Sequence, residues 1–272
     1  MSYANLLLKK MEDGTNEQFE DYAKRVRGST PNGHAFLYAL AIANDSLGNA
    51  FRESYQNQIM LIGGYAVLGH IIKTLGPEAA TQWRGSHDLD IVCQSNQAVR
   101  NLILEYNSLD MRSTSLPDKK TTKFKDIDIG DVCEADLYYP SDKNNPEKIR
   151  IANSTITRDD FKKADVVDVL GVPYRIMKRD KLLKMKLGIM TADNLPREKD
   201  IIDIYNLLGI SEREGVKPNK FSWQHLGENE RRTLYDIINY TMDNPDLGIE
   251  SGFVLVKPSR EFLKHIERAR VN

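Results

Sequence analysis

The sequence predicts an α/β protein in which short buried strands alternate with amphipathic helices. Between Ile59 and Cys93, an apolar run that ends at Gly63-Gly64 indicates a buried strand, a stretch with helical spacing follows, and a second apolar run predicts another strand. Acidic and apolar residues then alternate from Asp126 to Tyr139, with a break at Gly130, as two strand segments would. From Arg179 the apolar period becomes helical. Strands and helices in this order are typical of a sheet covered by helices.

The composition excludes several classes of protein. With 272 residues, 40% of them hydrophobic and 28% charged, the chain has the balance of a soluble globular protein with a real core. A formal net charge of −1 excludes a broadly basic nucleic-acid coat, although a local basic groove remains compatible. No apolar run reaches the ~20 residues that span a bilayer, and the N-terminus lacks the features of a secretory signal. We therefore expect a cytoplasmic protein without a membrane partner, with Cys93 and Cys133 as free thiols.

Three segments are expected along the chain: an N-terminal helical segment that packs on the core, the core itself, and a C-terminal helical segment. A helix opened by Pro196 is expected to end before Gly209, and a polar linker is expected at 211–219. A hairpin is expected to turn at Gly171. The lysine-rich stretch 118–125 is either a solvated hairpin loop or a basic edge that meets a polyanionic substrate. The segments are 1–56, 57–209 and 210–272; the other strands are expected at 59–62, 89–93, 148–152 and 166–170, and the other helices at 65–75, 96–106, 179–190, 221–242 and 258–269.

An acidic pair stands at the start of the second strand. Asp88 and Asp90 lie two residues apart, so on an extended chain both carboxylates point to the same face. Two adjacent carboxylates repel each other unless a cation lies between them, and oxygen ligands of this kind suit Mg²⁺. Gly85-Ser86 just ahead of the pair offers backbone N–H groups and a hydroxyl to a phosphate. This stretch is therefore the candidate site for a metal and a phosphate-bearing ligand.

The acidic pair belongs to a series of motifs in a fixed order. A strand runs into Gly63-Gly64, a helix follows, and Arg84-Gly85-Ser86-x-Asp88-x-Asp90 opens the next strand. Asp136 follows in a strand-like segment, Leu182-Leu183-x-x-Lys186-Leu187 in a helix, and Arg197-x-Lys199-Asp200-x-x-Asp203 comes last. This order resembles the nucleotidyltransferase superfamily of DNA polymerase β. Within it, residues 57 to 209 resemble the AbiEii-type nucleotidyltransferases, many of which are toxins of toxin–antitoxin pairs.

The resemblance implies a fold and a set of site residues. The fold would be a small mixed sheet with helices packed around it. Two Mg²⁺ ions, with Mn²⁺ as a substitute, would be held by three carboxylates, and an NTP would be the substrate. The implied metal ligands and catalytic residues are Asp88, Asp90 and Asp136; Gly85 and Ser86 would cradle the triphosphate, Arg84 and Lys186 would assist nucleotide binding, and Lys199 and Asp200 match a later motif.

The expected activity is transfer of an NMP from an NTP to an acceptor hydroxyl, on RNA or tRNA or on a protein, with an antitoxin protein as a further partner. Two other functions remain open: a sugar-nucleotide-dependent glycosyltransferase that uses Asp-x-Asp with a divalent ion, and a non-catalytic nucleotide-binding module. Asp131 and Glu134 stay alternatives to Asp136 as the third carboxylate.

Three further residues, all charged, have alternative interpretations, and the two cysteines follow from a condition on strand pairing. Lys186 either needs an anion in a partly buried position or keeps its ammonium in water, and Lys199 with Asp200 could simply form an exposed charged helix start. If the strands of Asp90 and Asp136 are antiparallel neighbours with these residues opposite, Cys93 lies opposite Cys133 on the other face.

Overall fold

A computed structural model of the protein describes residues 58–76, 79, 83, 86, 88–99, 109–113, 119–125, 132–142, 146–151, 154–169, 172–190, 197–217, 226–247 and 256–268. The expected N-terminal segment 1–56 and the stretch 126–131 lie outside these residues. The strands are β1 (Ile59–Leu61), β2 (Asp88–Cys93), β3 (Leu109–Ser113), β4 (Lys119–Lys125), β5 (Val132–Tyr138), β6 (Lys148–Ile151), β7 (Ser154–Thr157), β8 (Asp165–Val169) and β9 (Val172–Ile176). The helices are α1 (Gly63–Leu75), α2 (Arg158–Lys163), α3 (Arg179–Met190), α4 (Glu198–Arg213), α5 (Glu228–Asp243) and α6 (Arg260–Arg268).

The described residues form a mixed seven-stranded sheet in the order β3-β4-β5-β2-β1-β9-β8, with β6 and β7 as a separate hairpin. The central strand, β2, pairs antiparallel with β1 and parallel with β5. β9 pairs parallel with β1, and the two outer pairs, β3 with β4 and β8 with β9, are antiparallel. The α/β class is therefore confirmed: the sheet is mixed and helices pack against it.

The core is built around β1 and α1. All residues of β1 are buried, as is α1 from Gly63 to Ile72. Gly69 brings α1 close to the sheet, because a Cβ at this position would lie 2.9 Å from Cδ1 of Ile176 in β9. The helix ends at Gly76, whose φ of 91° and backbone hydrogen bond to the Ile72 carbonyl close the last turn. Within the described ranges, no helix has the length and apolar content that crossing a membrane would require.

The helix α4 is buried from Asp200 to Ser211 and connects α1 and α3 to the C-terminal segment at Val256. It packs on α1 and α3, and the side-chain oxygen of Asn206 accepts a hydrogen bond of 2.9 Å from the backbone N–H of Val256. A Cβ at Gly209 would lie 2.0 Å from the carbonyl oxygen of Val256. The glycine in this helix therefore allows a close chain contact.

Several expected elements are confirmed and others are corrected. The strands near 59, 89, 148 and 166 and the helices near 65 and 179 are present, and β8 and β9 form the expected hairpin around Gly171. The expected end of a helix before Gly209 is wrong, because α4 continues to Arg213, and the expected linker therefore loses its first three residues. The solvated hairpin loop at 118–125 is wrong as well, since 119–125 is a strand paired on both sides.

The register between β2 and β5 confirms one half of an expectation and corrects the other. Asp90 lies directly opposite Asp136, as expected, but the two strands are parallel rather than antiparallel. Cys93 therefore pairs with Ile59 and Cys133 with Phe124, and the two cysteine positions are about 20 Å apart along the strand direction. Cys93 is a free, buried cysteine, and burial raises the pKa of its thiol.

His70 is a buried titratable group of α1. Its Nε2 lies 2.9 Å from the carbonyl oxygen of Met177, to which it donates as a neutral imidazole. Burial lowers the pKa of His70 from its ordinary value of 6.5, with smaller opposing contributions from the Met177 hydrogen bond and from Asp165, and smaller lowering ones from Arg179 and Lys73. The folded protein therefore resists protonation of this ring.

We expect His70 to make the fold less stable in acid. The folded-state pKa of His70 lies below its unfolded value, so the unfolded chain takes up a proton at a pH where the folded protein does not. The contribution of His70 to the free energy of unfolding is therefore fully present above pH 6.5 and is lost as the pH falls below it. Replacing His70 with Gln removes this titration, so thermal melts between about pH 7.5 and about pH 5.5 should show a smaller fall in Tm than in wild type. His265→Gln, at an exposed position, is the control; an equal fall in all three proteins would contradict the assignment.

Candidate active site

The candidate site is built on the ladder between β2 and β5. Asp90 and Asp136 are direct partners on these parallel strands, and partners on adjacent strands lie about 4.8 Å apart with their side chains on the same face. Asp136 is buried and Asp90 is half-buried, while their neighbours Ile91 and Leu137 fill the opposite face of the sheet. The fold therefore holds two carboxylates side by side where they are largely shielded from solvent.

The carboxylate of Asp90 lies against the end of β1 and the start of α1. The backbone N–H of Ile62 donates a 3.0 Å hydrogen bond to the Asp90 carbonyl oxygen, and Gly63 follows with a φ of 64°. A Cβ on Gly63 would lie 2.0 Å from Oδ2 of Asp90. The first glycine of the expected strand-to-helix turn is therefore needed twice, for its left-handed backbone and for the space that the carboxylate takes.

Asp136 is paired with a lysine of the neighbouring strand. Nζ of Lys119, the first residue of β4, lies 2.5 Å from Oδ2 of Asp136. The same ammonium lies 5.7 Å from the ring centroid of Tyr138, and the Tyr138 hydroxyl points to Oδ1 of Asp90 at 3.4 Å, which is long for a hydrogen bond. Lys119 and Tyr138 therefore connect the two carboxylates along one face of β4, β5 and β2.

The Gly-Ser turn is described only at Ser86, which is buried. The hydroxyl of Tyr65 in α1 lies 3.5 Å from the Ser86 carbonyl oxygen, and the Tyr65 ring packs edge-on against Trp83 with centroids 5.0 Å apart. These contacts place the turn beside the first helical turn of α1. Arg84, Gly85 and the side chain of Asp88 lie outside the described residues; the backbone of Asp88 begins β2, opposite Glu134.

Lys186 lies in a buried ion cluster between α3 and α4. Its ammonium is 2.6 Å from Oδ2 of Asp203 and 3.2 Å from Oδ1 of Asp200, and Nε of Arg197 is 2.6 Å from the other Asp200 oxygen. Lys186, Asp200 and Asp203 are all buried, so the expectation of an ammonium left in water is wrong, as is that of Asp200 as part of an exposed helix start. Lys199 is exposed in the first turn of α4.

The donor set of the candidate site consists of carboxylates, the ligands that Mg²⁺ and Mn²⁺ prefer. Within the described residues, no group of three or more His, Cys, Asp or Glu side chains is arranged to hold a metal ion. Asp88, the expected further ligand, has its side chain outside those residues. Among the described side chains, Asp90 and Asp136 supply adjacent oxygens that a divalent cation could share.

Two residues of this site were not found by sequence reasoning. Lys119 belongs to the lysine-rich stretch, whose sequence KKTTKFK has no regular alternation; its two threonines and one phenylalanine are the only residues in it that favour a strand. Tyr138 lies in the alternating stretch that predicts a strand, and nothing in the sequence distinguishes it from a strand residue of the core; in the structure it contacts both the lysine and Asp90.

No family model matches the chain, and the curated proteins contain no match. Among solved structures, JHP933 from Helicobacter pylori is 14% identical with a TM-score of 0.38 and covers 79% of this chain and 83% of its own. An antigenic nucleotidyltransferase-like protein from Paracoccidioides brasiliensis is 15% identical with a TM-score of 0.42 and covers 78% of this chain and 91% of its own. With TM-scores below 0.5 and identities of 14% and 15%, neither structure assigns a function to this chain.

We expect Gly63→Ala to destabilise the protein more than Gly76→Ala, at the other end of the same helix. Both glycines have positive φ, which costs an alanine about 1–2 kcal/mol, but only Gly63 has a carboxylate where the new Cβ would stand, adding about 1–3 kcal/mol. Urea unfolding measures both. Adding Asp90→Ala should relieve the extra loss at Gly63, whereas equal losses in the two single variants would show that Asp90 is not held there.

We expect Lys186→Met to lower the free energy of unfolding by about 3–5 kcal/mol, because it leaves Asp203 buried without this ammonium. Adding Asp203→Asn should recover part of the loss. Lys199→Met, on the exposed side of α4, should stay within about 0.5 kcal/mol of wild type. Denaturant titration of the four proteins is the measurement; a small loss in Lys186→Met would mean that the cluster is solvated.

Proposed function

We propose that the protein is a Mg²⁺-dependent nucleotidyltransferase of the DNA polymerase β superfamily, in its AbiEii-like group. The observation that carries the proposal is the register that sets Asp90 directly opposite Asp136 on parallel strands. The sequence motif around Gly85-Ser86 supports it, because it adds a phosphate-binding turn immediately before β2.

The residues fit a divalent cation for an electrostatic reason. Two carboxylates at neighbouring positions of a ladder repel each other, and the β-sheet prevents them from moving apart. Asp88, two residues before Asp90, would supply a third carboxylate. Asp88, Asp90 and Asp136 would hold up to two Mg²⁺ ions, or Mn²⁺ in their place. Bound there, the metal would stabilise the negative charge that develops during phosphoryl transfer.

In the proposed reaction, the oxygen of an acceptor hydroxyl forms a bond to the α-phosphorus of an NTP. The bond from that phosphorus to the oxygen bridging to the β-phosphate breaks, and pyrophosphate leaves. The hydroxyl proton passes to Asp136 or to water. Gly85 and Ser86 would hold the triphosphate, while Arg84 and Lys199 would add positive charge around it. Lys186, which the sequence resemblance assigns to nucleotide binding, is buried and paired with Asp200 and Asp203, so we propose a structural role for it.

The acceptor is proposed to be a macromolecule, RNA or tRNA or a protein, in the cytoplasm. A polyanionic acceptor such as RNA is favoured by the lysines of β4, the strand next to that of Asp136. They occupy positions 119, 120, 123 and 125. Under this proposal the protein acts as a toxin that an antitoxin protein restrains.

A second candidate is a non-catalytic nucleotide-binding module. The ion pair between Lys119 and Asp136 favours it, because a fixed ammonium can replace a metal at a carboxylate that no longer takes part in chemistry. The two candidates differ in whether an NMP is transferred.

Transfer is tested by incubating the protein with each α-³²P-labelled NTP, Mg²⁺, and either total RNA or cell lysate. We expect label on RNA or protein, and a loss of at least about a hundredfold in Asp90→Ala and Asp136→Ala, since each would remove a carboxylate that holds the metal.

Asp165→Ala is the matched control for this assay, because Asp165 is also a lysine-paired carboxylate of the same sheet but lies at its far edge, in β8. Its activity should equal that of wild type. Nucleotide binding without transfer would support the binding module, and stabilisation by UDP-sugars instead of NTPs would point to a glycosyltransferase.

A further inference from the structure

Lys119 is placed by the ladder next to the candidate metal site. It pairs directly with Tyr138 across β4 and β5, and Asp136 lies two residues before Tyr138 on the same face. The side chains of Lys119 and Asp136 are only 20% and 10% exposed, and their charged atoms are 2.5 Å apart. This ion pair is therefore shielded from water, unlike a surface pair of little consequence.

Tyr138 lies near both the ammonium of Lys119 and the carboxylate of Asp90. The Tyr138 ring is within cation–π distance of Nζ, at 5.7 Å, and its hydroxyl is directed to Asp90. Lys119 thus contacts two of the groups that shape the site.

We infer that Lys119 competes with the divalent cation for Asp136 and so weakens metal binding when no nucleotide is present. This inference rests on the proposed function. A metal ion that coordinates Asp136 would stand next to an ammonium already bound to one of its oxygens, and the two positive charges repel. The metal must therefore either displace the ammonium from Asp136 or bind with lower affinity because the ammonium repels it.

A lysine is suited to this exchange. Its ammonium is a compact charge on a flexible stem with three rotatable donors, so it can turn from Asp136 to another anion without a fixed geometry. The triphosphate of an NTP supplies such an anion. Metal and nucleotide then favour each other's binding, because nucleotide that binds the ammonium frees Asp136 for the metal, and metal on Asp136 frees the ammonium for the nucleotide; this coupling is reciprocal.

The experiment measures Mn²⁺ binding without nucleotide, by the electron paramagnetic resonance signal of free Mn²⁺. Wild type is compared with Lys119→Met, Lys119→Arg, Lys73→Met and Asp90→Asn, with a thermal melt of each to verify folding. Lys73→Met is the matched control, because Lys73 also forms a 2.9 Å ion pair, with Asp165, but at the far edge of the sheet. If Lys119→Met does not fold, Lys119→Gln takes its place.

We expect Lys119→Met to bind Mn²⁺ about tenfold more tightly than wild type, since it removes one positive charge at contact distance. Lys119→Arg keeps the charge and should bind like wild type, as should Lys73→Met. Non-hydrolysable α,β-methylene NTPs should then tighten Mn²⁺ binding more in wild type than in Lys119→Met.

Unchanged or weaker Mn²⁺ binding in Lys119→Met, together with binding that Asp90→Asn abolishes, would overturn the inference and leave the proposed function standing. If neither wild type nor Lys119→Met binds Mn²⁺, with or without the nucleotide analogues, both the inference and the proposed function are wrong.

Discussion

The parallel, in-register pairing of β2 with β5 is the constraint on which the site depends. It sets Asp90 opposite Asp136 in the middle of a seven-stranded sheet, where neighbouring strands on both sides prevent relaxation. A shift of one residue would turn one of the two carboxylates to the opposite face, which Ile91 and Leu137 fill. The antiparallel partner of β2, β1, then ends beside Asp90, so that Gly63 and the start of α1 close the site.

The protein balances buried carboxylates in two different ways. Between α3 and α4, Lys186 contacts both Asp200 and Asp203, and Arg197 adds a second cation, so fixed side chains neutralise one another. At the sheet, the ammonium of Lys119 contacts Asp136 from a flexible stem while Asp90 lies alongside. The first arrangement is typical of a structural cluster that joins two helices. We propose that the second exchanges one cation for another, as the proposed binding of metal and nucleotide would require.

Sequence reasoning was most successful where local signals decide the structure. The strand, glycine turn and helix from Ile59 to Leu75 follow from hydrophobic spacing. Asp136 as the third carboxylate rests on the resemblance and stays a prediction, although the register does place it opposite Asp90. The antiparallel direction assumed for β5 was wrong, because side chains alternate between the two faces in the same way in parallel and antiparallel strands. Whether β5 runs parallel to β2 depends on how the chain between the two strands connects them. The strand β4 was not predicted because its lysines have a weak preference for strands. Hydrogen-bonded pairing with β3 on one side and β5 on the other keeps this segment extended. Gly209 was interpreted as the end of a helix. In the structure it lies inside α4, where a glycine is needed because the Val256 carbonyl leaves no room for a Cβ.

The central claim is that Asp90 and Asp136 share a divalent cation. The most direct measurement is an anomalous difference map, at the manganese absorption edge, of crystals grown with Mn²⁺ and a non-hydrolysable NTP. We expect a peak at metal–oxygen distance, about 2.0–2.2 Å, from both carboxylates, with the Lys119 ammonium moved away from Asp136. A map with nucleotide bound but no peak between these carboxylates, and with the ion pair of Lys119 and Asp136 intact, would contradict it.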